Sequence, residues 1–420
     1  MIRLSKRGAM LCWAILLFPF PSSAETLKDA LTIAWTTNPE LAAARARQQA
    51  LEETPEQARS VGRLTVETSS DLGYDRLAYG RSSSASITAN LPIWTGGRVP
   101  TAVHAAIGEV TAGAARLRDA EAAVLERVIG AYADLLYNQQ AAEVARVGIE
   151  RLDGQVAEAR SRFVLGQATR TDVAQLEAQR ASVAANLADA EGALAAARAN
   201  YRAIVGEDAG NLVAEVAPSS LLPRTLADAR TAAENANPLI LAQRHIVTAS
   251  AARVDQVRAE RAPEISLAGG YGRGFQVADG DWRGFENAAS AGLTLRMPLL
   301  TGGLVPSRVR QAEAVWRAER FQADAVAREA LRGTEAAWSA LAAAEARLRA
   351  SLEGQAAAHL ALKGVRAEYG FGLRSTIDIL VADQSLRASQ LDVARARADV
   401  LTNQAALLRA TGQLGPNAFE

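Results

Sequence analysis

Two short stretches carry the polar residues whose types and spacing could do chemistry. The first reads Phe163-x-x-Gly166-x-x-Thr169-Arg170-Thr171-Asp172, and the second Tyr369-x-x-Gly372-x-Arg374-Ser375-Thr376-Ile377-Asp378. Thr169-x-x-Asp172 and Ser375-x-x-Asp378 are capping boxes with aspartate at the third helical position, so both carboxylates have a structural task in starting a helix. Gly166 and Gly372 suit the left-handed residue that ends the helix before. Bond-making chemistry finds no such constellation. His104, His245 and His359 stand far apart without the HxxxH spacing of a metal site, and Gly270, Gly272 and Gly274 alternate as on a strand face instead of opening a helix as GxGxxG. The one cysteine, Cys12, lies in an N-terminal apolar run. No catalytic residue, metal site or cofactor is expected, and the chain is not read as an enzyme.

The elements that position these stretches occur twice. LPIWTGGRVP from Leu91 returns as MPLLTGGLVP from Met297, so Thr95 and Thr301 stand 206 apart (301 − 95), as do Asp172 and Asp378 (378 − 172). The openings, TLKDALTIAWTTNPEL and TLADARTAAENANPLI, stand 199 apart (225 − 26). A long internal repeat is one architecture built twice. The division is a first repeat over 25–215 and a second over 216–420. The seven-residue difference between the offsets falls in the second hairpin loop, near Gln276 to Glu286.

Each copy predicts four segments. A capping box, Thr26-x-x-Asp29 or Thr225-x-x-Asp228, opens a helix to about Ser60 or Arg261, interrupted at Asn38-Pro39 or Asn237-Pro238. Period-2 alternation then predicts a strand hairpin over about 61–94 and 263–299, with strands of about ten residues, which suits a tilted membrane strand. Leu64, Val66 and Leu72, and on return Ile87, Ala89, Leu91 and Ile93, form its apolar face; in the second copy Leu293, Leu295, Met297 and Leu299 do. Tyr74, Tyr79, Trp94, Phe275, Trp282 and Phe285 cluster at strand ends, where an aromatic girdle would lie. TGG then turns into a helix of about 66 residues, Val99 to Leu165 and Val305 to Phe371, some 100 Å long at ~1.5 Å per residue. A returning helix, about Thr171 to Ile204 and Ile377 to Leu408, shows 3-4 spacing through Val173, Leu176, Arg180, Val183 and onward, the heptad pattern of a left-handed coiled coil. First and returning helices together match the long one, so they should stack end to end beside it.

Composition narrows the setting. Arg3, Lys6 and Arg7, the apolar run Ala9 to Phe20 and Ser22-Ser23-Ala24 read as a secretory signal peptide, residues 1–24, cut before Glu25. Those three cations are part of 46 basic residues, so the remaining chain has 43 against 46 acidic, a net −3 that gives no reason to expect nucleic acid. No later segment approaches 18 unbroken apolar residues, so entry into a bilayer requires a closed β-barrel. Four strands cannot close one, since the smallest have about eight. Copies must share the barrel; two, three or four would supply 8, 12 or 16 strands.

The order helix, hairpin, PxxTGG, long helix, [FY]xxGxxTxxDV, returning helix, twice over, resembles the TolC-type outer-membrane channels of export and efflux systems. The resemblance covers essentially the whole chain after the signal peptide. It implies a mainly α fold of duplicated coiled-coil hairpins, a homotrimer with a twelve-stranded barrel in outer-membrane lipid, and a helical tunnel across the periplasm. It implies a periplasmic adaptor and an inner-membrane pump, ABC or proton-driven, as partners. The absence of a lipidation cysteine at the cleavage site and the stretch ARSRFVLGQATRTDVAQLEAQ look more like members serving type I protein secretion than drug or metal efflux. It further implies a gate at the tips, with Thr171 and Asp172 facing Tyr369 and Arg374, Asp172 and Arg374 forming a charge-assisted pair. Asp378 matches the aspartate that rings the constriction, where three carboxylates should attract cations and titrate high. Val381 stands where some members have a second acidic ring, and Asp383 lies two residues off that register. A periplasmic coiled-coil adaptor or scaffold is the reading of another class.

Overall fold

The computed structural model describes residues 25–75, 80–214, 217–278 and 281–419. The signal peptide, Tyr79 and the end of the second hairpin loop lie outside the described residues, as do the side chains of Tyr74, Phe275, Trp282 and Phe285. In the first copy, α1 (Leu27–Thr37), α2 (Pro39–Glu52) and α3 (Thr54–Ser60) lead to β1 (Thr65–Asp75) and β2 (Gly80–Trp94), then to the long helix α4 (Arg98–Val164) and the returning helix α5 (Arg170–Val205). In the second, α6 (Leu226–Ala236), α7 (Pro238–Arg258) and a short 3-10 turn lead to β3 (Glu264–Ala278) and β4 (Asp281–Arg296), then to α8 (Leu304–Gly370) and α9 (Thr376–Ala410). Both long helices have 67 residues, about 100 Å at ~1.5 Å per residue. No helix among the described residues is long and apolar enough to cross a membrane.

The capping boxes at Thr26 and Thr225 are formed. The Asn-Pro sites are joints and not kinks. Asn38 Oδ1 accepts the amide protons of Glu40 and Leu41 at 2.9 and 3.3 Å, while its Nδ2 donates to the Ile204 carbonyl at 2.9 Å, in the last turn of α5. Asn237 does the same with Leu239, Ile240 and the Ala410 carbonyl of α9. One buried side chain thus starts one helix and satisfies the end of another, whose last carbonyls have no partner of their own. The expected stacking is corrected in one respect. Only α2 with α3, and α7, continue the columns of α5 and α9; α1 leaves the column and packs across α4 and α5, and α6 packs on α8. The extended backbone of Asn38 and Asn237 redirects the chain there.

At this level lies the largest core, joining Leu31, Leu41, Leu125, Ile129, Tyr132, Tyr201 and Leu408, with Phe419 at the end of the chain. The seam of α5 is buried or half-buried at every expected position except Arg180, which is exposed and pairs with Asp153 on α4.

The four strands form one antiparallel sheet in the order β1-β2-β3-β4, with β1 and β4 as its edges. They run 11, 15, 15 and 16 residues, longer than the ten expected. β4 ends at Arg296, so Met297 and Leu299 are not in it: Pro298 has no amide proton and restricts the residue before it. Register carries the apolar face across all strands. Val66, Ala89, Gly269 and Ala291 align, as do Thr68, Ile87, Tyr271 and Ala289, and Leu91, Leu267 and Leu293. Glu67, Thr88, Gly270 and Ser290 align on the other face. Val66, Ile87, Leu267 and Leu293 are exposed within the chain.

The joint is testable. Asn38→Ala and Asn237→Ala should each destabilise the protein by about 1–2 kcal/mol, from a lost cap and an orphaned carbonyl. Asn38→Asp keeps the cap but loses the donor, and should also melt early. Thermal unfolding of the detergent-solubilised protein by circular dichroism measures this; an unchanged melt in Asn38→Ala would remove the joint from the account.

Candidate functional site at the hairpin tips

The far ends of the two helical hairpins are built alike. α4 and α8 both end in a reverse turn in which Gln167 and Leu373 donate back to the Arg162 and Glu368 carbonyls at 2.8 and 3.0 Å, and Gly166 and Gly372 to those of Phe163 and Tyr369. Gly166 and Gly372 have φ of 72° and 77°, a region open to glycine and strained for other residues. Three residues on, the next helices start. Asp172 Oδ2 accepts from the Thr169 amide and hydroxyl at 2.9 and 2.8 Å, and Asp378 Oδ2 accepts from those of Ser375, both at 2.9 Å.

These caps set the titration of both acids. Hydrogen bonds from Thr169 hold the Asp172 carboxyl below the ordinary aspartate range, first through the backbone amide and then the hydroxyl. Hydrogen bonds from Ser375 do the same for Asp378, with the Arg374 charge adding to the effect. Within one chain the cap alone lowers the Asp378 pKa, through the two hydrogen bonds its Oδ2 accepts; the expected rise belongs to a ring of three such carboxylates.

Of the residues singled out, Tyr369 is brought to the opposite hairpin and Arg374 is not. Arg162 Nη1 on α4 donates to the Tyr369 hydroxyl on α8 at 3.0 Å, and the guanidinium lies 5.1 Å from the ring centre. Arg374 Nε donates to Glu368 Oε2 at 2.7 Å, across its own turn. Among the described residues, no hydrogen bond or ion pair joins Asp172 to Arg374 inside the chain, and Thr171 is exposed. Sequence reasoning missed Arg162 and Glu368. They are the same position in the two copies (368 − 162 = 206), with opposite charge, which is a readable signal. It noted Asp383 only as off the register of an acidic ring; the residue is buried with arginines around it. Around the turns, Val164, Leu165, Phe371 and Leu373 are all more than two-thirds exposed, an apolar rim at the extreme end of the molecule.

A duplicated pair of ~100 Å hairpins hung from an amphipathic sheet, with paired polar tips, matches known proteins. The family model described as outer membrane efflux protein fits residues 31–207 and 229–413. The chain belongs to the outer membrane efflux protein family. It is an outer-membrane channel protein and not an enzyme. It is 32% identical to the outer membrane efflux protein BepC of Brucella suis over 93% of this chain and 86% of that one. It is 26% identical to the alkaline protease secretion protein AprF of Pseudomonas aeruginosa, over 70% of this chain and 62% of AprF. A crystal structure of CusC superposes with a TM-score of 0.78 at 18% identity, covering 92% of each chain, which is a likeness of fold.

The capping carboxylates carry a pH dependence with a definite sign. Their folded pKa values are lowered, so their stabilisation is complete above the ordinary aspartate pKa of about 3.9 and is lost as pH falls below it. Hydrogen exchange should show the first turns of α5 and α9 protected at neutral pH and losing protection only in that acid range. Loss near pH 6 would mean that other groups hold these helix starts.

Proposed function

We propose that this chain is the outer-membrane channel-tunnel of a type I protein secretion system, built from three copies and opened at the hairpin tips. The observation that carries the reading is the sheet: four strands with one apolar face and two unpaired edges, standing at one end of the long helices. Open edges in lipid leave backbone groups unsatisfied, so other copies must pair with β1 and β4. Three copies give a twelve-stranded barrel whose apolar face meets outer-membrane lipid. The long helices support the same assembly. α4 has buried residues along its whole length, packed against α5, α7 and α9, whereas its counterpart α8 leaves Phe321 and Leu360 about 70% exposed. The next copy's first repeat is the natural cover for that face.

At the tips, Arg374 of one copy would reach Asp172 of the next, with Thr171 beside it, while Tyr369 is held by Arg162 of its own chain. Three Asp378 carboxylates would ring the constriction, which suits cation binding. The apolar rim of Val164, Leu165, Phe371 and Leu373 suits docking of a periplasmic adaptor, which would link the tunnel to an inner-membrane ABC pump. The name of AprF supports protein as the cargo. Small-molecule efflux with a proton-driven pump is the second reading, favoured by the identity to BepC across nearly the whole chain.

Arg374→Ser and Asp172→Asn should each raise single-channel conductance several-fold in planar bilayers, and no change in either would dismiss the gate. Asp378→Asn keeps an acceptor for the cap but should abolish block by trivalent cations. For cargo, the chain expressed in a strain lacking its own channel should restore export of a protein carried by an ABC pump. Restored drug tolerance without protein export would favour the second reading.

A further inference from the structure

About 10 Å above the second tip, seven residues into α9 at ~1.5 Å each, lies a buried carboxylate that the gate described above does not use. Asp383 is 1% exposed and faces three guanidinium groups. Its Oδ2 is 3.1 Å from Arg387 Nε, one turn along α9. Its Oδ1 is 3.7 Å from Arg366 Nη2 on α8 and 3.7 Å from Arg151 Nη1 on α4. Neither carboxylate oxygen has a partner with hydrogen-bond geometry, nor does Arg387 Nη2. The contact is therefore held by charge in a buried place, without the directional bonds that would lock it. Gly148 makes room for it: a methyl group there would stand 3.1 Å from Arg387 Cδ.

The duplication shows which part of this cluster is new. The first hairpin has the equivalent acid and base, Glu177 and Arg160, 206 positions earlier, paired at 2.6 Å on the surface. The position equivalent to Arg387 is Ala181, and the α8 position equivalent to Arg151 is Ala357. The second copy has thus kept a pairing within one hairpin, buried its carboxylate, and added an arginine from the other hairpin. Arg366 and Arg387 travel with Asp383 on the second hairpin, whereas Arg151, 37% exposed to solvent, belongs to the first.

We propose that Asp383 is a positioning residue for the entrance: with Arg151 it clips the second helical hairpin to the first, and dilation of the tips requires that this contact part. The proposal rests on the gated-channel reading and adds a second restraint above the tips. When the hairpins separate, Arg151 is released to solvent while Asp383 keeps two cations, so the clip opens without stranding a bare buried charge.

The test uses the full-length channel in planar bilayers. Arg151→Ala and Asp383→Asn should raise the open probability about two- to tenfold, the range that a modest coupling energy gives. Arg151→Lys should restore the closed level, since a 3.7 Å contact needs a charge and not a bidentate fork. Arg160→Ala, which removes the equivalent pair inside the first hairpin, should leave gating as it is. If Asp383→Asn fails to assemble, Arg151→Ala keeps the test standing, because Asp383 retains Arg366 and Arg387. Wild-type gating in Arg151→Ala overturns the clip. Arg374→Ser in the same bilayers separates the two ideas: if it opens the channel while Arg151→Ala does not, the clip fails and the gate stands.

Discussion

A helix of 67 residues cannot be covered by any one of the shorter helices in this chain, and the architecture follows from how two asparagines solve that. Asn38 and Asn237 each accept the first amide protons of one helix and donate to a last-turn carbonyl of another. Two helix ends that would otherwise leave buried polar groups unpaired are joined by one side chain. Proline at the next position has no amide proton to satisfy and is preset for a helix. The joint makes two helices into one column as tall as its partner, and the largest core sits beside it.

The sheet hangs on the other end of these columns and obeys a different constraint. Its register places apolar residues from all four strands on one face, and among the described residues no helix covers that face. A soluble protein would bury such a surface against a second layer. Here the same pattern satisfies a bilayer, provided that the edges are paired by other copies.

The two copies share caps and turns and differ in charge placement. Arg162 becomes Glu368, Phe163 becomes Tyr369, and Glu177 becomes the shorter, buried Asp383. With them the second hairpin gains a tyrosine and a buried aspartate that meet arginines of the first. The caps and turns that start and end the hairpins are kept in both copies, while these charge changes lie where the two hairpins meet.

By itself the sequence determined the elements. The long helices lie within one residue of the expected positions, and the capping boxes at Thr26, Thr169, Thr225 and Ser375 are all formed. Helix ends, turns and heptad seams depend on residues a few positions apart, so their physics is written locally. The strands were legible by alternation, but their length was not, because pairing between β2 and β3 extends them beyond the apolar core of the pattern. Partners of long charged side chains left only a faint trace, the opposite charges at the equivalent positions Arg162 and Glu368. Within the chain Arg374 turned to Glu368, Tyr369 met Arg162, and Asp383 was drawn into a buried cluster with Arg151 from a helix more than 200 residues away. An arginine reaches several ångströms in any direction, so only the relative placement of two packed hairpins decides which carboxylate it finds.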